Sequence, residues 1–163
     1  SKGKDWISLE QELEHVNSYL AIQKMRYRNI LDYEIDIDEE LLDSTILKLT
    51  LQPLVENALY HGIKTKRDGG EIIVTARRGQ QNDVVLKVQD DGVGFTPYKL
   101  AQIREMLSGE SGEITMKEGG FGLENVNKRI KLYYGKQYGL SIQSHYRGGT
   151  QVTVTIPETY ETG

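Results

Sequence analysis

The feature that most limits this fold is a pair of alternating apolar runs around a four-residue turn. "EIIVTARR" (71–78) and "DVVLKVQD" (83–90) flank "GQQN" (79–82). Strand side chains alternate between faces, so each run offers one apolar face. A short polar connection containing glycine then predicts an antiparallel hairpin. The pattern returns near the end of the chain, where "LSIQSHY" and "TQVTVTIP" surround Arg147-Gly148-Gly149. Two such hairpins require a sheet that is largely antiparallel.

The helical signals are fewer. Residues 8–29 carry Leu9, Leu13, Val16 and Leu20 at helical spacing, opened by Ser8 with Gln11 three positions later, a capping-box pattern. That stripe packs on a domain core or on a second copy of itself. "DYEIDID" (32–38) alternates as a half-buried strand. Residues 46–63 read as a second helix ending near Gly62, with Leu51, Leu54, Val55, Ala58 and Leu59 on its apolar face. Pro53 is best tolerated in a first turn, which moves the regular start to Leu51 or Gln52. Residues 97–108 form a short helix, 109–119 lack periodicity and read as a mobile loop, and 120–135 read as a glycine turn and a helix stopped at Gly135. The order α-β-α-β-β-α-loop-α-β-β has too few helices to cover both faces of a sheet. It predicts an α+β, two-layer sandwich with helices on one face of a mixed, mostly antiparallel sheet.

A chain of 163 residues suits one compact domain. Lys and Arg number 20 against 24 Asp and Glu, a net charge of −4, which argues against a general nucleic-acid binder while leaving room for a local basic patch. The absence of cysteine excludes disulfides, thiolate catalysis and Cys-ligated metals, and fits a reducing cytoplasm. No apolar run of about 18 residues occurs and no signal peptide is visible. The opening "SKGKDW" lacks an initiator Met and runs at once into a helix pattern, so the chain reads as part of a longer one.

Four stretches carry candidate chemistry. Asn57, Tyr60 and His61 share a polar helix face away from Leu51, Val55 and Leu59, with Glu56 one step round. Such a face is either solvated or turned to a ligand, and Asn supplies a neutral oxygen suited to a Mg²⁺ shared with phosphates. Asp90 to Gly94 form D-x-G-x-G at a strand end. The spacing is wrong for a Ca²⁺ loop. It fits either a tight turn or a carboxylate that accepts from an exocyclic amine, with glycines admitting a flat ring. "GGFGLENVNKR" (119–129) places Gly119, Gly120 and Gly122 before a helix, where free N–H groups bind phosphates. It is neither a P-loop nor a dinucleotide fingerprint. "RGGTQVTVTIP" opens a strand at Thr150, which alone is ordinary hairpin chemistry.

Taken in this order, the four stretches resemble the GHKL (Bergerat-fold) ATP-binding family of gyrase, Hsp90, MutL and histidine kinases, over roughly residues 40–157. "LQPLVENALYHGI", "GFGLENVNKRI" and the leading "LEQELEHVNSYLAIQKMRYRN" resemble the LytS/YesM type of sensor histidine kinase.

The resemblance implies ATP and Mg²⁺ as cofactors. It implies Asp90 at the adenine amine with Thr150 in support, Gly92 and Gly94 clearing space for the base, and Asn57 as the Mg²⁺ ligand. Residues 95–119 would form a lid, with Phe95 at its start. Gly120, Phe121, Gly122 and Leu123 would face the phosphates, with Tyr60 and His61 near phosphate or ribose. Asn57 and His61 are the expected catalytic residues. Many histidine kinases carry Lys at the position of Tyr60, so this chain lacks that charge for a phosphate. The GHKL ATPases place a water-activating Glu four residues before the Mg²⁺ Asn. Here that position is Pro53, so little intrinsic hydrolysis is expected.

Residues 1–30 are expected to be a leading helix, the end of a dimerisation and phosphoacceptor region or a linker, and 31–163 the ATP-binding catalytic domain. The phosphoacceptor histidine would lie upstream, since the resemblance assigns His61 to the ATP site, His145 falls in a strand, and His15 sits in a helix outside the family's acceptor motif. The resemblance further implies a homodimeric parent, a response regulator receiver domain as partner, and a cytoplasmic domain of a bacterial plasma-membrane protein, attached only through an N-terminal part. Two rivals are a GHKL ATPase or serine kinase, and a non-catalytic dimerisation or docking module that has lost nucleotide.

Overall fold

The computed structural model describes residues 5–64, 66, 68–109 and 121–161. Five strands form one sheet: β2 (Leu31–Ile37), β4 (Gly70–Arg78), β5 (Asp83–Asp90), β6 (Gly139–His145) and β7 (Gly149–Pro157), in the order β2-β4-β5-β7-β6. β2 runs parallel to β4 and every other pair is antiparallel. The parallel pair needs a crossover. It is made by residues 38–69, which include β3 (Thr45–Leu47) and α2 (Gln52–Asn57).

Register explains the core. Ile35, Val74, Val88, Val152 and Ile142 are successive cross-strand partners, so one apolar row crosses all five strands. Thr75, Lys87 and Thr153 form an adjacent row on the other face, where partial exposure replaces burial. The apolar face is covered by buried Leu9, Leu13, Val16 and Leu20 of α1 (Leu9–Arg26), Leu100, Ile103 and Leu107 of α3 (Pro97–Ser108), and Leu123, Val126 and Ile130 of α4 (Phe121–Tyr134). The α1 stripe therefore packs on the domain's own core. Ser8 and Gln11 close the expected capping box at its start.

Two features differ from the sequence reading. Trp6–Ser8 form a short strand, β1, that pairs with β3, so Ile46 and Leu47 are strand residues and not the start of a helix. Trp6 also meets Tyr133 and Tyr134 of α4 edge-on, with ring centroids 5.7 and 5.6 Å away. Leu49 follows in the left-handed region (φ 62°), and α2 starts only at Gln52, with Pro53 in its first turn. In the second, residues Ala58–Ile63 widen into a π-helical turn, marked by the Lys64 N–H donating to the Leu59 carbonyl five residues back. Such widenings recur at functional sites.

Candidate functional site

The second row of the apolar face changes character towards one end of the sheet. Ile72, Asp90, Thr150 and Ser144 are cross-strand partners in turn, and the last three replace hydrocarbon with oxygen. Asp90 follows Val84, Leu86 and Val88 at a spacing of two, so the pleat drives its carboxylate to the core side, where it is 7% exposed. Burial, with Asp91 adding like charge, pushes its pKa up to about 6 against the bonds that favour the anion. One of these is the Gly92 N–H, which donates to Oδ1 at 2.8 Å and closes a turn two residues long.

Glycines surround this carboxylate because backbone passes too close for side chains. A Cβ on Gly62 would lie 2.6 Å from Asp90 Oδ1. One on Gly92 would meet Gly62 backbone at 2.3 Å, one on Gly94 (φ 68°) the His145 carbonyl at 2.0 Å, and one on Gly149 (φ 99°) the Asp90 carbonyl at 2.1 Å. The D-x-G-x-G turn is thus clamped between the end of the π-helical turn and the β6–β7 hairpin. Its Val93 N–H donates to the Gly62 carbonyl at 3.3 Å, and its Val93 carbonyl accepts from the Arg147 N–H.

Ser144 and Thr150 complete the polar row. Their hydroxyls are 2.8 Å apart. Ser144 Oγ also donates to the Gly149 carbonyl at 3.0 Å and accepts from the Phe95 N–H at 2.8 Å. Its single proton is committed to the carbonyl, so Thr150 donates within the pair and keeps lone pairs for a ligand. Phe95, expected at the start of the lid, is thereby tied to the same row as Asp90. Thr96 caps α3 through the Lys99 N–H.

Asn57 is the last residue of α2 and is half-buried, as is His61 in the π-helical turn. Tyr60, by contrast, is exposed and lies under the Lys64 ammonium, 4.4 Å from its ring centroid. A lysine therefore stands beside the position where the chain itself has tyrosine. Gly122 and Leu123 lie in the first turn of α4, which Phe121 opens. Leu123 is fully buried in the core, so its side chain anchors the helix. Among the described residues, a Cβ on Gly122 would meet only Pro53 Cβ, at 3.9 Å. The first turns of α2 and α4 therefore face each other. Gly120 and residues 110–119 of the expected lid lie outside the described residues.

Two residues at this site escaped the sequence reading. Gly62 looked like a helix stop, and Ser144 like an ordinary residue of an alternating strand. The signal for Ser144 was its register, two residues beyond Ile142 on the core face. Nothing local signalled that Gly62 would abut Asp90.

A family described as histidine kinase-, DNA gyrase B-, and HSP90-like ATPase matches residues 42–160. The chain belongs to this family. A second family, described as histidine kinase, matches residues 1–31. The sensor protein LytS of Staphylococcus saprophyticus is 38% identical over 93% of this chain, and the sensor histidine kinase YesM of Bacillus subtilis 34% over 94%. The chain spans about a quarter of these relatives, 24% of each. The catalytic domain of histidine kinase ThkA superposes with a TM-score of 0.68 over 96% of this chain and 97% of its own, at 17% identity, which shows a shared fold.

For a member of this ATPase family the implied ligand is ATP, and the residues present fit it. A buried carboxylate with a raised pKa lies at a strand end beside a hydroxyl acceptor, the arrangement that receives an exocyclic amine. Among the described residues no cluster of three His, Cys, Asp or Glu side chains could hold a metal alone. Mg²⁺ is commonly held by one or two protein oxygens together with substrate phosphates, so the side-chain oxygen of Asn57 suits it without a protein cage.

Proposed function

We propose that this chain is the ATP-binding catalytic domain of a two-component sensor histidine kinase, which transfers the γ-phosphoryl group of ATP to a histidine elsewhere in the parent protein. The observation that carries this reading is the placement of Asp90. A core-facing carboxylate, closed in by Gly62 and Gly92, is costly to the fold and is accounted for by an amine ligand. In this reading Asp90 and Thr150 hold the adenine edge. Asn57 would hold Mg²⁺, which would supply charge neutralisation at the phosphates. His61 and Tyr60 flank the phosphates and ribose, and the start of α4 supplies N–H groups to the phosphates. Gly92, Gly94, Phe95 and Gly122 shape the remaining wall, and Leu123 contributes only backbone. The residues position the γ-phosphoryl group and exclude water, while the nucleophile comes from outside.

Several features support a kinase over an ATPase. Pro53 stands four residues before Asn57, and Glu56 is turned to the Gln52 amide, 3.3 Å away. Among the described residues of α2, no carboxylate thus stands one turn before Asn57 to activate water. The similarity to LytS and YesM supports a phosphoacceptor outside this domain, a homodimeric parent, a response regulator receiver domain as partner, and membrane attachment through another part of that parent. Residues 1–30 are then the end of the dimerisation and acceptor region or a linker, packed through α1 on the core of the 31–163 catalytic domain.

Calorimetric titration of Mg²⁺-ATP into the chain tests this reading. Wild type should bind with a Kd between micromolar and sub-millimolar, roughly −8 to −5 kcal/mol. Asp90→Asn should abolish binding, and Asn57→Ala should remove the Mg²⁺-dependent part. No wild-type binding at millimolar ATP would favour the docking-module alternative.

A further inference from the structure

α2 has no N-cap of its own. The residue at that position is Leu51, whose side chain cannot accept a hydrogen bond. The cap comes from another helix. Glu12 of α1, fully buried, accepts from the Leu49 N–H at 3.1 Å through Oε1, and from the Thr50 and Leu51 N–H groups at 3.0 and 2.8 Å through Oε2. The left-handed conformation of Leu49 turns these successive N–H groups towards one point, forming an anion-binding nest. From α4, Arg129 takes the carbonyls of the same turn, donating to Leu49 O at 2.9 Å and Lys48 O at 2.6 Å.

One turn, residues 48–51, is therefore held by an anion from α1 on its amides and a cation from α4 on its carbonyls. It leads directly into the helix that ends at Asn57. The helix supplying the cation begins at the Gly122 turn, which faces Pro53. α1 lies wholly within the segment matched by the histidine kinase family at residues 1–31. The leading helix thus holds the turn that opens α2, and α4 holds the same turn through Arg129 in its second half, while Asp90 is fixed in the sheet by β5 and β7 and meets the continuation of α2 only further on, at Gly62.

We infer that Glu12 and Arg129 are positioning residues, and that the 48–51 turn is the joint through which the leading helix sets the spacing of Asn57 and the α4 start. This rests on the ATP-binding reading above. A shift of α1 moves the carboxylate, the carboxylate moves the α2 amides, and the gap that holds the phosphates changes more than the adenine end, where β5 and β7 hold Asp90 in the sheet.

The test is titration calorimetry of the chain with ATP plus Mg²⁺, ATP plus EDTA, and adenosine, beside urea unfolding. Glu12→Gln keeps the shape but loses the charge and one acceptor. Arg129→Met keeps the stem but loses both donations. Each should weaken Mg²⁺-ATP at least fivefold and leave adenosine binding within twofold. Val84→Ala, a core change at the far end of β5, controls for loss of stability alone and should bind Mg²⁺-ATP within twofold of wild type. The double variant should be weakened by clearly less than the product of the single effects, because both residues act on one turn. If Glu12→Gln does not fold, Arg129→Met decides. Variants that bind Mg²⁺-ATP like wild type overturn this inference alone. A wild type that binds no ATP overturns the functional reading and this inference with it.

Discussion

Gly62 lies so close to Asp90 that a Cβ placed on it would be 2.6 Å from Oδ1 and 2.8 Å from Cγ of the carboxylate. The carboxylate cannot swing aside, because Oδ1 is bonded to the Gly92 N–H and the backbone is locked to Thr150 in the sheet. Gly62→Ala should therefore displace Asp90 or the π-helical turn. The expected result is at least a tenfold loss of ATP affinity by calorimetry, with unfolding free energy in urea lower by about 1–3 kcal/mol. An alanine variant that binds ATP normally would show that the contact relaxes without moving the carboxylate.

The raised pKa of Asp90 makes the site a cost to the fold. Its folded value of about 6 stands above the ordinary 3.8, so the folded state holds a proton that the unfolded chain has already released. The stability contributed by the protonated form is complete below the ordinary value and is lost as pH rises to about 6. At pH 7 the loss is on the order of 2–3 kcal/mol. Asn at this position keeps an oxygen for the Gly92 N–H and carries no charge. Asp90→Asn should therefore be more stable than wild type at pH 7 by about 1–3 kcal/mol, with the gap closing as pH falls below 4, while ATP binding is lost. Urea unfolding at several pH values measures this. Equal stability at pH 7 would show that the buried carboxylate is compensated by bonds beyond the Gly92 N–H.

Much of this arrangement was legible because strands report their faces. The spacing Val84, Leu86, Val88, Asp90 states that a carboxylate falls on the core side, and the two hairpins state the sheet that carries it. The leading stripe Leu9, Leu13, Val16, Leu20 was legible as an interface but not as an interface with its own domain, since periodicity marks a face and not its partner. The strand at Ile46 and Leu47 was hidden because those residues pair with Trp6–Ser8, a tertiary contact that overrides a helical-looking apolar run. The π-helical turn after Asn57 and the Glu12 cap on α2 were also invisible. Each depends on groups brought together by folding, and Glu12 looks like any other acidic residue in a first helical turn.

The Ser144–Thr150 pair is expected to separate a structural hydroxyl from a ligand-facing one. Ser144 is committed on every side, to the Phe95 N–H, the Gly149 carbonyl and Thr150. Ser144→Ala should lower stability by about 1–2 kcal/mol, since it leaves the Phe95 N–H unpaired beside the core. Thr150→Val conserves shape and should change stability by less than about 1 kcal/mol, yet weaken ATP roughly three- to tenfold, because it removes the acceptor beside Asp90. Matched calorimetry and urea unfolding on both variants would distinguish the two roles. A Thr150→Val variant with unchanged ATP affinity would confine the adenine contact to Asp90.

Pro53 offers a test of why hydrolysis should be slow. It lies one helical turn before Asn57, on the same face, and its Cβ is 3.9 Å from the Cβ position of Gly122 at the start of α4. A carboxylate there would point into the gap between the two helices. A positioned general base typically contributes about 10²–10⁴-fold, and one introduced without supporting contacts delivers less. Pro53→Glu should therefore raise steady-state ATP hydrolysis at least tenfold over a low wild-type rate, with ATP affinity within about threefold. The substitution carries a stability cost of roughly 0.2–0.5 kcal/mol, because the Glu12 carboxylate already occupies the amides at this helix end and a second one repels it. Coupled-enzyme measurement of ADP release on both proteins gives the comparison. If Pro53→Glu binds ATP and stays as slow as wild type, the missing carboxylate is not what restrains water, and the restraint lies in how the phosphates are held between α2 and α4.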